Sequence, residues 1–378
     1  GMEEGWPVIG FFGGTTAEIF PALRVLPIFY EAIAAFLSSA LTAGVEDDLD
    51  ASEEDGFATH LCGMQRAPFA AFELGKLPLP KALVKLSAPC NSSNMYYQYV
   101  LDKHDIPLVI VDTPYDKGES SFVYYLEEYK AMVEQLEELC GTRLDEDILR
   151  KHVELGNKQI SYLYKLQELR RQKPNPDPGF LRPMDLPSLF YCGLNEENTE
   201  YMKVRYEEAR ARMDRGESLV PDGKQEIRTV WTWGLISHHS DIYDWLEEEF
   251  GVTYMECGLT YLPEKDVGLV DTTSVETIFH GLALRAYNFP MVRQVMSYSD
   301  VLVDDMVTIA KDYQADAAVF SGNQSCKHAW AAHKRLSDAL MDEVGIPSLT
   351  YETDLIDKRF TPDATTKALL SEFFSTFE

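Results

Sequence analysis

The strongest constraint in this chain is an alternation of short apolar runs of strand type with stretches of helix length. The runs are Val8 to Phe12, a segment ending near Ser87, Pro107 to Asp112, Ile227 to Trp233, Val252 to Glu256, Ala317 to Phe320 and Pro347 to Tyr351. Between them lie helical patterns over Glu18 to Leu41, Gly63 to Leu74, Asn91 to Lys103, Ser120 to Gln172, Pro187 to Arg215 and Thr365 to Phe377. Val45 to Asp55 is acidic and reads as a loop. Buried strands joined through helices form βαβ units and parallel sheets. The expectation is an α/β chain of two doubly wound (Rossmann/flavodoxin-like) parallel-sheet domains with a helical middle segment. Prolines from Pro174 to Pro183 interrupt the helices, and Gly216 to Gly223 reads as a linker. They divide the chain into an N-terminal α/β domain with a helical extension (1–172), a helical, proline-rich connector (173–223) and a C-terminal α/β domain (224–378).

At 378 residues the chain can bury two cores. Its 62 acidic and 34 basic residues give a formal charge of -28. That surface argues against nucleic acid and anionic membranes, which need clustered Lys and Arg. Leu23 to Leu41 is apolar but broken by Arg24, Pro27 and Glu31, so it makes a poor membrane span. Six cysteines without any CxxC pair fit neither a disulfide scaffold nor a zinc ribbon, and the expected location is cytoplasmic.

Three of those cysteines, Cys62, Cys90 and Cys326, each stand where an apolar run gives way to a helix. Ligands of parallel sheets bind at the carboxyl ends of strands. A helix N-terminus stabilises a thiolate through its free N–H groups and dipole. Three soft ligands from distant positions, one short of a closed four-cysteine site, suggest an iron–sulfur cluster with one iron left open. Ser87, Asn91, Ser92, Ser93, Asn323 and Ser325 offer further donors to sulfur. Lys327 and His328 follow Cys326 and are candidates to face substrate, with His60 as a weaker one. Cys140 and Cys192 read as small buried hydrophobes, whereas Cys257 also follows a strand.

Other signals carry less. Gly10-Phe-Phe-Gly13-Gly14 is not a dinucleotide fingerprint, and Gly75-Lys76-Leu77 is not a Walker A sequence, so the chain is not expected to hydrolyse ATP. His238-His239 lacks the i, i+4 spacing of a helical metal pair. Glu352, Asp354, Asp357 and Arg359 either line the crevice or form an ion-pair cluster. Tyr96-Tyr97-Gln-Tyr99 and Phe122 to Tyr125 are candidates for an apolar association patch, or for core.

Taken in order, His60-Leu-Cys62, Ser87-Ala-Pro-Cys90-Asn-Ser-Ser, Ser325-Cys326-Lys-His and Gly345 to Arg359 resemble the 2-hydroxyacyl-CoA dehydratase and benzoyl-CoA reductase family. The resemblance runs through most of the chain and implies a subunit of the 2-hydroxyglutaryl-CoA dehydratase D-component type. It implies a [4Fe–4S] cluster on Cys62, Cys90 and Cys326 with one non-protein ligand, which air can strip. It implies a homologous second subunit, a separate ATP-hydrolysing activator that delivers single electrons, and an acyl-CoA substrate dehydrated through a ketyl radical. His328, Lys327 and Glu352 are the candidate catalytic residues. A benzoyl-CoA-type reductase subunit and a non-catalytic electron-relay partner stand as alternatives, and a homodimer is expected when the chain is expressed alone.

Overall fold

The structure, a computed structural model, describes residues 5–11, 15–40, 45–87, 90–233, 241–295 and 297–377. Eight strands form two sheets, both wholly parallel. The first contains β1 (Val8–Phe11), β2 (Leu26–Ile28), β3 (Ala82–Leu86) and β4 (Leu108–Val111), in the order β2-β1-β3-β4. The second contains β5 (Ile227–Trp233), β6 (Val252–Cys257), β7 (Ala317–Asn323) and β8 (Ser348–Thr353), in the order β6-β5-β7-β8. Both sheets thus reverse direction of growth at the same place, between their first and third strands. Every residue of β3, β5, β6 and β7 is buried. Helices cover both faces of such sheets, which is why these strands are near-continuous apolar runs. Edge strands β4 and β8 alternate instead and expose Ile110, Thr350 and Glu352.

Two sequence expectations fail locally. The stretch from Glu18 to Leu41 is not one helix: a short helix, Ile19–Ala22, gives way to β2 before the helix Tyr30–Ala40 begins. Arg24 takes a left-handed conformation (φ 55°) and Pro27 follows, and neither suits a helix interior. Val45 to Asp55 is not a loop but carries the helix Glu46–Glu54, with three acids in its first turn. Acids at a helix N-terminus complement the dipole, and buried Leu49 anchors the helix to Ala34, Ala67 and Ile356.

Helices Glu119–Cys140, Glu146–Arg170 and Glu196–Arg215 form the helical middle. Helix Val275–Tyr287, although far along the chain, contributes Ile278, Leu282 and Ala286 to the first core. The segment between Asp177 and Asp185 is held by six buried charges. Arg170 meets Asp177 (3.0 Å), Asp185 (2.7 Å) and Glu256 (2.9 Å), while Arg182 and Arg205 pair with the same two aspartates. Three guanidinium groups balance three carboxylates, so no net charge is buried. Arg228 completes the corner by donating to the carbonyls of Arg170 and Gln172 at the end of their helix, both at 2.8 Å.

Tyr96, Tyr97 and Tyr125 pack inside the subunit, 3%, 3% and 0% exposed, so they cannot form the anticipated association patch. Among the apolar and aromatic residues of those stretches, Val123 and Tyr124 are the largely exposed ones. Among the described residues, no helix is long and apolar enough to cross a membrane.

Candidate functional site

Cys90 and Cys326 occupy equivalent places in the two sheets. Each follows the third strand of its sheet and each is the N-cap of the next helix, Asn91–His104 and Lys327–Ala339. This is the crevice side of a doubly wound sheet, at its switch point. Cys62 also caps a helix, Gly63–Glu73. Its approach differs from expectation: 57–62 is turn and coil, not strand. Three helix N-termini thus bring three thiols to the wall of one cavity of about 290 Å³.

Each sulfur meets donors. The Ser93 N–H lies 3.4 Å from Cys90 Sγ. Asn323 Nδ2, at the end of β7, lies 3.2 Å from Cys62 Sγ and so joins the two halves of the chain at the site. Burial pushes the Cys326 thiol up, opposed by the Ala329 N–H, the Trp233 side chain and the His328 N–H. Cys62 is pushed well up by burial, then by Asp354, Cys90 and Glu31, while Asn323 pulls it down. Burial and Glu31 raise Cys90 to about 11. Thiols coupled in this way, Cys62 with Cys90 and Cys90 with Cys326, cannot all ionise cheaply without a cation beside them.

Asp354 turns the chain behind Cys62. Its Oδ1 accepts the N–H groups of Ile356 and Asp357, both at 3.0 Å. A Cβ at Gly63 would stand 2.8 Å from that oxygen, so only glycine fits directly after Cys62. Asp357 pairs with Arg359 at 2.9 Å and Arg359 with Asp50 at 2.6 Å, which makes this cluster a clasp on helix Glu46–Glu54. Glu352 is exposed on β8 and does not line the cavity. Lys327, His328 and His60 do line it. Lys327 and His60 are exposed, while His328 is half-buried with its Nε2 unpartnered among the described residues. Cys257 is buried behind the wall, its sulfur accepting the Leu259 N–H at 3.3 Å. Cys140 ends its helix, and Cys192 donates to the Gly156 carbonyl in the first core. His238-His239 lies outside the described residues.

Two charged residues at the site were not singled out from the sequence. Glu31 is on the cavity wall, and burial raises its carboxyl to about 8, with Lys85 opposing. Lys85, on fully buried β3, is lowered to about 8 by burial, with Cys90 and Glu31 opposing. Its ammonium also lies 5.5 Å from the Tyr97 ring centroid. A lone charge inside an otherwise apolar strand or helix was the available signal for both.

Among the described residues, no three His, Cys, Asp or Glu side chains form a site for a single metal ion. A polynuclear cluster asks for something else, because each thiolate binds its own iron. Three thiols on one cavity wall, each with donors at or near sulfur, fit that demand.

The family model for the 2-hydroxyglutaryl-CoA dehydratase D-component matches residues 14–375. The (R)-phenyllactyl-CoA dehydratase alpha subunit of Clostridium sporogenes is 22% identical over 374 residues, covering 95% of this chain and 86% of that one. The (R)-2-hydroxyisocaproyl-CoA dehydratase alpha subunit of Clostridioides difficile is 23% identical over 377 residues, covering 94% and 86%. The beta subunit of the C. sporogenes phenyllactyl enzyme is also similar, 22% identical over 291 residues, covering 74% and 71%. With a match across nearly its whole length, the chain belongs to the 2-hydroxyglutaryl-CoA dehydratase D-component family.

Proposed function

We propose that this chain is an iron–sulfur subunit of a 2-hydroxyacyl-CoA dehydratase, a hydro-lyase, working with a homologous second subunit and an ATP-hydrolysing activator. The observation that carries the reading is the meeting of Cys62, Cys90 and Cys326 at one cavity from three separate helix N-termini. These residues would hold a [4Fe–4S] cluster by three irons. Such a cluster, when bound, supplies a single electron and an open iron that can act as a Lewis acid.

The chain's own groups do the rest. Ser93 and Asn323 donate to sulfur and stabilise added negative charge there. The Glu31 carboxyl, raised to about 8, keeps its proton at neutral pH and presents it to the cavity. Expulsion of a 2-hydroxyl group as water needs such a donor. The apolar remainder of the wall offers water few partners beside the acyl thioester.

Chain purified without air, together with its partner, should contain iron and acid-labile sulfide in near-equal amounts and, with activator, ATP and reductant, convert a 2-hydroxyacyl-CoA to the enoyl-CoA. Iron-free protein from such a preparation, with no loss on Cys90→Ala, would refute the ligand assignment. An electron-relay role is the second reading, because the chain is similar to both alpha and beta subunits of two-subunit dehydratases. It predicts iron and electron transfer without turnover when this chain carries an intact cluster and its partner's site is destroyed.

A further inference from the structure

We infer that the cavity accepts 2-hydroxyacyl groups with an uncharged alkyl or aryl side chain and rejects those ending in a second carboxylate. The inference rests on the dehydratase reading and concerns which acyl-CoA that site takes. It comes from what lines the cavity away from the cysteines.

One wall is aromatic. Phe29 and Phe190 pack with ring centroids 4.1 Å apart and planes tilted by 46°, and both are almost wholly buried. Phe190 is backed in turn by Phe289 at 4.8 Å. Beside them, Pro183, Leu186 and Pro187 come from the segment that the buried charge network holds in place. Met291 and Val295 come from the helix Pro290–Val295. These surfaces offer dispersion contact and no hydrogen bond.

Next to Phe29, the lining is small and leaves space. Ala32 and Ala35 lie three apart on helix Tyr30–Ala40, so they share a face, and both line the cavity together with Ala58. Larger side chains at these points would fill the volume. At about 290 Å³ the cavity is roughly twice the ~150 Å³ that holds a benzene ring in an apolar protein interior. That volume includes the cysteine corner, so the room for a hydrophobic side chain is the part beside the aromatic and methyl groups that a bound cluster would leave.

Among the aromatic and methyl groups a terminal carboxylate would find no partner, because the cavity's donors, such as His60, Gln65, Asn91 and Lys327, stand within three residues of the cysteines. Among the described residues, no arginine lines the cavity. Arg182, directly before Pro183, points its charge into Asp177 and Asp185. Lys327 is an exposed residue next to Cys326, at the cysteine corner rather than among the aromatic and methyl groups. Glu31 cannot neutralise an anion in either protonation state. A buried carboxylate without a cation or a set of donors is strongly disfavoured.

The test uses the anaerobic holoenzyme with its partner subunit and three CoA esters: lactoyl, 2-hydroxy-4-methylpentanoyl and 2-hydroxyglutaryl. Equilibrium competition binding and kcat/KM are both measured. The branched alkyl ester should exceed the dicarboxylic ester by at least about 100-fold and the lactoyl ester by at least about 10-fold, since each methylene in an apolar pocket is worth roughly tenfold or more. Ala35→Phe should lower the ratio of branched to lactoyl ester at least about tenfold, and a ratio is insensitive to the fraction of folded enzyme. Preference for the dicarboxylic ester, or a ratio unmoved by Ala35→Phe, overturns this inference while leaving dehydration intact. If none of the three esters binds, the dehydratase reading fails and the inference falls with it.

Discussion

Asn323 Nδ2 lies 3.2 Å from Cys62 Sγ, a hydrogen bond spanning 261 positions of sequence between the end of β7 and the start of a helix in the other half. Its chemistry is directional. A donor to sulfur stabilises the more negative, reduced state of a cluster. Asn323→Leu should keep the fold and the iron but make the reduction potential more negative. An anaerobic redox titration followed by electron paramagnetic resonance would read the shift; an unchanged or more positive potential would contradict it.

Lys85 makes a separate electrostatic prediction. Its ammonium is buried on β3 and couples to Cys90 and Glu31. Lys85→Met should also lower the cluster potential, because a neighbouring positive charge is lost. In the metal-free protein the same change should be nearly neutral for stability or mildly stabilising, since a buried charge is replaced by an apolar chain of similar length. Thermal unfolding of apoprotein and redox titration of holoprotein together separate the two effects.

How much of this was legible in the sequence depends on what each residue competes with. β3, β5 and β7 stood out because both faces of each are covered and almost every position is apolar or small. β2 did not, being only Leu26-Pro-Ile28 between two helices. Helix Glu46–Glu54 was hidden because its acids resemble a solvated loop, and tertiary packing of Leu49 decided the outcome. Cys90 and Cys326 were marked by the strands before them, whereas Cys62 comes off a coil and is placed by Asn323 and Asp354. Glu31 and Lys85 gained meaning only when folding put them beside the thiols.

The buried charge network should fail when it is unbalanced. Arg205 is 3% exposed and bonds Asp177 and Asp185, which also serve Arg170 and Arg182. Arg205→Met leaves the group one positive charge short and should cost about 3–5 kcal/mol in chemical denaturation. Because this network holds the segment carrying Pro183 and Leu186, acyl-CoA affinity should fall as well. A loss below about 1 kcal/mol would mean that the carboxylates find another partner or a proton.

Stability should fall with rising pH through the neutral range. Burial raises Glu247 to about 8 from the usual 4.5, against the Gly179 N–H that lies 2.9 Å from its Oε1. Between those values the folded state keeps a proton that the unfolded state has lost. The unfolded chain then binds fewer protons, so unfolding free energy decreases as pH rises. The contribution is fully present below about pH 4.5 and is lost through pH 8. Glu247→Gln preserves the acceptor and should flatten that slope; urea denaturation at pH 5, 6.5 and 8 would show it. An identical slope in both proteins would remove Glu247 from the account.

Helix capping and the proposed cluster binding should separate at Cys90. The sulfur accepts the Ser93 N–H as the N-cap of helix Asn91–His104, a position that serine fills well. Cys90→Ser should therefore keep the apoprotein within about 1 kcal/mol of its original stability. A serine hydroxyl is a poor replacement for a thiolate toward iron, so cluster content should drop sharply. Cys90→Ala should lose the iron and also about 1 kcal/mol of helix stability. Iron analysis beside urea denaturation resolves the four values. If serine retained a full cluster, the iron would be held without this thiolate. If serine destabilised the apoprotein as much as alanine, the Ser93 N–H would not be what the sulfur supports.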